Sequence, residues 1–159
     1  MSTVNATVTQ NLTIGELFSA VDLPAAGNLN VTYDDFNTTK TLNAASTPPG
    51  TKGFAREYTS SQTLDLTAIV RDLGANLDCS GLKLQALLLK NTSTTSWLTV
   101  ADSGSNTYQC NSGSPLAIPP GGRQLLYFDD ELADVDATHK ILTCQTTAGQ
   151  KFQLAAVFG

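Results

Sequence analysis

Charge is scarce in this chain. Charged residues fill 14% of its 159 positions, against roughly 25% in an ordinary soluble domain. The nine Lys and Arg never cluster, and Lys83, Lys90, Arg123 and Lys140 each stand alone. Fourteen Asp and Glu bring the formal net charge to −5. Phosphate binding needs a basic face, so no nucleic-acid partner is expected. The apolar runs fall far short of the ~20 residues that cross a bilayer as a helix, so no membrane partner is expected either.

Histidine is nearly absent. Nucleophilic catalysis by a Ser–His or Cys–His pair requires a base, and His139 is the single candidate. It follows an acidic loop and opens an expected strand, which reads as a surface position. G-x-S-x-G, P-loop and H-E-x-x-H patterns are missing, and no enzymatic activity is expected. The three cysteines, Cys79, Cys110 and Cys144, lack C-x-x-C spacing, and an odd number cannot pair completely. No charged segment followed by an apolar one opens the sequence. Synthesis in a reducing cytoplasm with free thiols is therefore expected, with one bridge among the three left open.

What replaces charge is uncharged polarity: 22 Thr, 12 Ser and 10 Asn. Thr suits a pleated surface, whereas Asn and Ser suit turns. Helix-favouring Glu and Lys are few. The composition predicts an all-β protein. A chain of this length hides roughly 68–70% of its unfolded surface on folding, so it needs no staples.

The texture changes along the chain. Residues 1–60 are polar and read as an N-terminal arm with first strands that pack on the main domain. Residues 61–159 carry strong alternation and read as the core of a β-sandwich, the whole forming one structural domain. The join lies near the turn-forming Thr47-Pro48-Pro49-Gly50. One short helix is expected at about 14–21, because Thr13 and Glu16 have capping-box spacing and Ile14, Leu17, Phe18 and Val21 share a face.

Strands are expected where side chains alternate. Leu64, Leu66, Ala68 and Val70 share one side. The 82–89 run is apolar on both faces at its end, as in a central strand. Further strands follow at 97–100, 123–128, 141–145 and 152–158. Gly and Pro turns punctuate them, as at Pro119-Pro120-Gly121-Gly122. Short, evenly spaced strands of this kind predict a jelly-roll-like β-sandwich.

Two features could carry binding. Asp129, Asp130, Glu131, Asp134 and Asp136 place five carboxylates within eight residues. Such oxygen-rich loops can hold Ca²⁺, which takes 6–8 oxygen ligands. The EF-hand pattern is absent, since no Gly fills its sixth position and no Glu closes it. A solvated loop between two strands explains the same residues. Trp97 follows a Ser/Thr run and could stack on a sugar ring or fill the core. Tyr108 is a second aromatic candidate.

The stretch LNAASTPPGTKGFAREYTSSQTLDLTAIVRDLGANLDCSGLKLQALLLKN, residues 42–91, resembles tailed-phage virion structural proteins of small β-sandwich type. A Leu-Asn-Ala-x-Ser-Thr-Pro-Pro turn precedes a strand, Asp-Leu-Thr follows, and Gly-Leu-Lys-x-Gln opens the central strand. Ile-Pro-Pro-Gly-Gly, Asp-x-Asp-Ala-Thr-His-Lys and the closing Gln-Lys-Phe-Gln-Leu complete a pattern over roughly residues 10–159. The resemblance implies a capsid decoration (cement) protein, located in the virion. Its partners would be the major capsid protein and itself, as a homotrimer. No catalytic or cofactor-binding residues carry over. The alternative is a tail- or fibre-associated module that binds host-surface carbohydrate.

Overall fold

The structure, a computed structural model, describes residues 4–10, 14–18, 29–33, 38–71, 75–102, 104–111, 113–128 and 131–159. The chain divides into two compact units, one of residues 1–6 with 42–159 and one of residues 7–41. The sequence texture changes near residue 60, but the strand at Lys52–Tyr58 belongs to the larger unit. Alternation of Phe54 and Tyr58 with Ala55 and Glu57 is what places it there: Tyr58 is buried, Phe54 half-buried, and Ala55 and Glu57 are exposed.

In the smaller unit, β2 (Ile14–Phe18) pairs antiparallel with β3 (Leu29–Tyr33), in register from Ile14 opposite Tyr33 to Phe18 opposite Leu29. This corrects the helix expected at 14–21, of which residues 19–21 lie outside the described residues. Eight residues fall below the ~12–15 at which an isolated helix becomes even marginal. Gly15 penalises a helix interior by up to ~1 kcal/mol. Val31-Thr32-Tyr33 consists of strand formers and offers a complete hydrogen-bonding ladder. Non-local pairing overrides a short local pattern. Strands β1 (Asn5–Gln10) and β4 (Thr38–Asn43) form a further two-stranded sheet.

The larger unit is a β-sandwich of two four-stranded sheets. Its strands are β5 (Lys52–Tyr58), β6 (Gln62–Asp65), β7 (Leu84–Asn91), β8 (Leu98–Ala101), β9 (Leu116–Ile118), β10 (Arg123–Tyr127), β11 (Ile141–Gln145) and β12 (Phe152–Phe158). One sheet runs β10-β7-β12-β5 and the other β6-β11-β8-β9. Every pairing in both sheets is antiparallel. Apart from β8 and β9, consecutive strands lie in opposite sheets, and this is the order of an eight-stranded jelly roll. The expected all-β, jelly-roll-like architecture is thus present.

The core lies between the sheets. From one come Leu87, Leu89, Phe152, Leu154, Ala156 and Phe158; from the other come Leu64, Leu98, Val100, Ile118, Leu142 and Cys144. Phe152, Leu154, Ala156 and Phe158 recur at every second position of β12, none more than 3% exposed, so the alternation read from the sequence is the alternation of the pleat. Each fully buried Leu or Phe contributes about 1.5–3 kcal/mol. Tyr58 stacks on Phe152 with ring centres 5.2 Å apart, which ties edge strand β5 to central β12.

The strand read across residues 64–70 stops at Asp65. Its Oδ1 accepts hydrogen bonds from Thr67 N at 2.9 Å and Thr67 Oγ1 at 2.6 Å, and this Asx turn competes with the ladder. Leu66 and Ile69 remain buried beyond the turn, whereas Val70 is exposed.

Candidate functional site

The acidic loop is organised around a residue that is not acidic. Val135 is fully buried, donating to the Leu82 carbonyl at 2.8 Å and accepting from Gly81 N at 2.9 Å. Asp136 caps the turn that follows. Its Oδ1 accepts from Thr138 N at 2.7 Å, Thr138 Oγ1 at 2.8 Å and His139 N at 2.7 Å, with His139 Nδ1 at 3.1 Å. The Thr138 hydrogen bonds hold its carboxyl down at about 2. Glu131 and Asp134 are exposed, while Asp129 and Asp130 lie outside the described residues. Among the described residues, no three His, Cys, Asp or Glu side chains gather as metal ligands do. His139 is part of the Asp136 turn.

A carboxylate outside that cluster does more for the fold. Asp102, only 2% exposed, accepts from Cys110 N at 2.7 Å on one oxygen, and from Asn111 N at 3.0 Å and Gly113 N at 2.7 Å on the other. It fixes the loop between β8 and β9. In sequence, Asp102 opens an Asp-Ser-Gly-Ser-Asn stretch that reads as a plain surface turn, so only its burial distinguishes it.

Tyr108 is a core residue and not an exposed aromatic. It is 1% exposed, its hydroxyl accepts from Leu84 N at 3.0 Å and donates to the Ala133 carbonyl at 2.7 Å, and burial pushes it up to about 12. The three cysteines are unpaired and buried. Burial raises Cys79 to about 11 and Cys110 and Cys144 to about 12.

Trp97 shows the opposite. It precedes β8 with 57% of its surface exposed, on a loop held rigidly from below. Asn91, fully buried at the end of β7, directs Nδ2 at the carbonyls of Ser96 (2.8 Å), Ile118 (3.1 Å) and Pro119 (3.1 Å), and its Oδ1 accepts from Ser93 N. Ser93 Oγ in turn accepts from Thr95 N and Ser96 N. The neighbouring turn has Pro120 and then Gly121 at φ 70°, closed by Gly122 N on the Pro119 carbonyl at 2.9 Å, a type II arrangement. Gly121 N donates to the Ser93 carbonyl at 2.8 Å, which locks the two loops together.

The same end of the sandwich collects the β5–β6 and β11–β12 loops, joined by Ser61 Oγ and Thr146 N at 2.9 Å. The outer face of β6-β11-β8-β9 is mostly small or polar, with Ile141 opposite Asp65 the apolar exception among its paired residues. Thr63, Thr143 and Ala101 form one cross-strand row, and Gln145, Thr99 and Ala117 form the next. An exposed indole on a pre-organised loop beside a hydroxyl-rich sheet can stack on a sugar ring or anchor a protein interface.

Comparison with known protein families, characterised proteins and solved structures finds no match to this chain.

Proposed function

We propose that this chain is a non-enzymatic component of a tailed-phage particle, a capsid decoration (cement) protein that binds the outer shell and stabilises contacts between capsomers. One observation carries the reading: the stretches on which the resemblance rests fold into one structural unit. Residues 42–49 form a turn around Ser46, whose Oγ accepts from Asn43 N at 3.0 Å and donates to the Asn43 carbonyl at 2.7 Å. Gln85, from the Gly-Leu-Lys-x-Gln stretch, donates from Nε2 to the Pro49 carbonyl of that turn at 3.0 Å. The closing stretch enters β12, which lies between β7 and β5. Binding is also favoured over chemistry because, among the described residues, the three thiols and Tyr108 are buried and His139 is held in the Asp136 turn. Jelly rolls serve in viral capsid domains and in lectins, an analogy of fold alone.

Quantitative mass spectrometry of gradient-purified particles gives the copy number relative to the major shell protein. A ratio near one, or a simple fraction of it, supports decoration. Absence from the particle overturns the reading.

Trp97 favours a second reading, a tail or fibre module that binds host-surface carbohydrate. That reading expects a few to tens of copies per particle. It also expects Trp97→Ala to abolish binding to host polysaccharide in a pull-down while the fold survives. Glycan binding unchanged in W97A would remove it.

A further inference from the structure

Three rows cross the outer face of the β10-β7-β12-β5 sheet. Cross-strand register places Glu57, Gln153, Lys90 and Arg123 in one row, with strand order β5, β12, β7, β10. The next row is Ala55, Ala155, Leu88 and Leu125, and the third is Gly53, Val157, Ala86 and Tyr127. Ala86 in the third row is buried, and Val4 approaches the Gly53 position. The first row is exposed throughout, and in the second row Ala55 and Leu88 are exposed. Over Ala55 and Ala155 lies an open groove of about 390 Å³ walled by Leu88, Lys90, Glu57 and Gln153.

Both accessible rows are asymmetric in the same sense. In the first, the anion stands on β5 and the cations on β7 and β10. In the second, the small residues stand on β5 and β12 and the large ones on β7 and β10. Lys90 and Arg123 are directly opposed across neighbouring strands, and like charges so placed are destabilising within a single sheet. Within the chain, Glu57 is engaged from its own side, by Gln153 Nε2 at 3.1 Å and Lys151 Nζ at 3.4 Å.

We propose that this face docks a second copy of the chain, about a two-fold axis that runs along the strands between β12 and β7. That rotation preserves position along the strands and reverses their order. Glu57 then meets Arg123 of the second copy, with Lys90 of that copy beside it, and Gln153 meets Lys90. Ala55 meets Leu125, and Ala155 meets Leu88, so each Leu88 enters the groove over the opposite Ala155. Minus meets plus at the ends of the first row, and small meets large across the second, with each contact made twice as an isologous interface requires. Aligned sheets cross at about 30° and pack ~10 Å apart. Such a crossing displaces the outer strands by roughly one residue and leaves the central β12–β7 pairs opposed. Two rows over four strands make a patch below the ~800 Å² per partner of a standard interface. The association is therefore weak and is read at concentrations of roughly 10 μM to 1 mM. It does not depend on which particle surface the chain binds, and it differs from the homotrimer that the resemblance implies.

The test is sedimentation equilibrium of the whole chain over that concentration range, at low and high salt. A monomer–dimer equilibrium that weakens with salt is expected. Glu57→Arg alone and Arg123→Glu alone each place like charges face to face and weaken the dimer by roughly tenfold or more. Both positions are exposed, and circular dichroism confirms that each variant is folded. The double variant E57R/R123E restores opposite charges and recovers the dimer. An equimolar mixture of the two single variants forms heterodimers. A chain that stays monomeric to 1 mM overturns the proposal, as does a trimeric mass. So does a dimer indifferent to the single reversals or not restored by the double one.

Discussion

Asp102→Asn changes one atom type and keeps the shape of the side chain. The carboxylate accepts three backbone N–H bonds shared between both oxygens, at 2.7, 3.0 and 2.7 Å. An amide has a single acceptor oxygen. If that oxygen faces Asn111 and Gly113, the NH₂ group faces the Cys110 N–H, and two donors confront one another. One charge-assisted bond is lost, two become ordinary, and a buried N–H is left without a partner. An unmet buried donor costs about 1–3 kcal/mol, and bonds to a charged acceptor exceed neutral ones by roughly 1 kcal/mol. The expected loss is about 3 kcal/mol. For a chain of this size that lowers the melting temperature by roughly 6–12 °C. Urea unfolding should show a lower midpoint at an unchanged slope. Amide exchange should lose protection at Cys110, Asn111 and Gly113 before it changes in β7 or β12. A D102N protein within ~0.5 kcal/mol of the parent, with those three amides still protected, would refute the argument that this carboxylate holds the loop.

Tyr108→Phe should cost about 2–3 kcal/mol, because it strips both the Leu84 N–H and the Ala133 carbonyl of their shared hydroxyl; urea denaturation measures it. All three thiols should ignore Ellman's reagent in the native state and react together in denaturant, since burial holds each well above the range of a reactive thiolate. Stability should fall as the pH drops below about 4. Asp136 is held down at about 2, and Asp65 is lowered by its Thr67 bonds. Carboxyls depressed on folding contribute stability above their unfolded value of ~3.9 and lose it as pH drops through the folded value. Thermal melts of Asp136→Asn between pH 5 and 2 should show a shallower acid limb than the parent.

The sandwich was legible where one face is buried and the other wet. Phe152 to Phe158 and Ile141 to Gln145 are strands at the expected positions, because period-two alternation and the pleat are one property. The strand order was not legible. It depends on β12 lying between β5 and β7, a pairing of residues far apart in the sequence. Local reasoning misled at Ile14–Phe18, where a helical spacing lost to a partner strand. The acidic loop drew attention through its count of carboxylates, yet Val135 anchors it. Asp102, alone in a turn-like stretch, satisfies three buried donors. Trp97 and Tyr108 show the same limit: neither residue's type tells which indole or phenol a fold will bury, and here the phenol is inside and the indole out.

The position of β12 has a consequence for how the molecule is made. It is the last strand of this sequence, yet it sits in the interior of its sheet, with β7 on one side and β5 on the other. Until Phe152–Phe158 leaves the ribosome, β5 and β7 lack the strand that joins them, and the apolar faces of Leu87 and Leu89 lack their neighbours. Partly synthesised chains therefore carry two unpaired strand edges, the kind of surface that aggregates or recruits chaperones. A chain cut short before residue 152 keeps every strand of the β6-β11-β8-β9 sheet, but in the other sheet it leaves β5 without its partner and one edge of β7 unpaired.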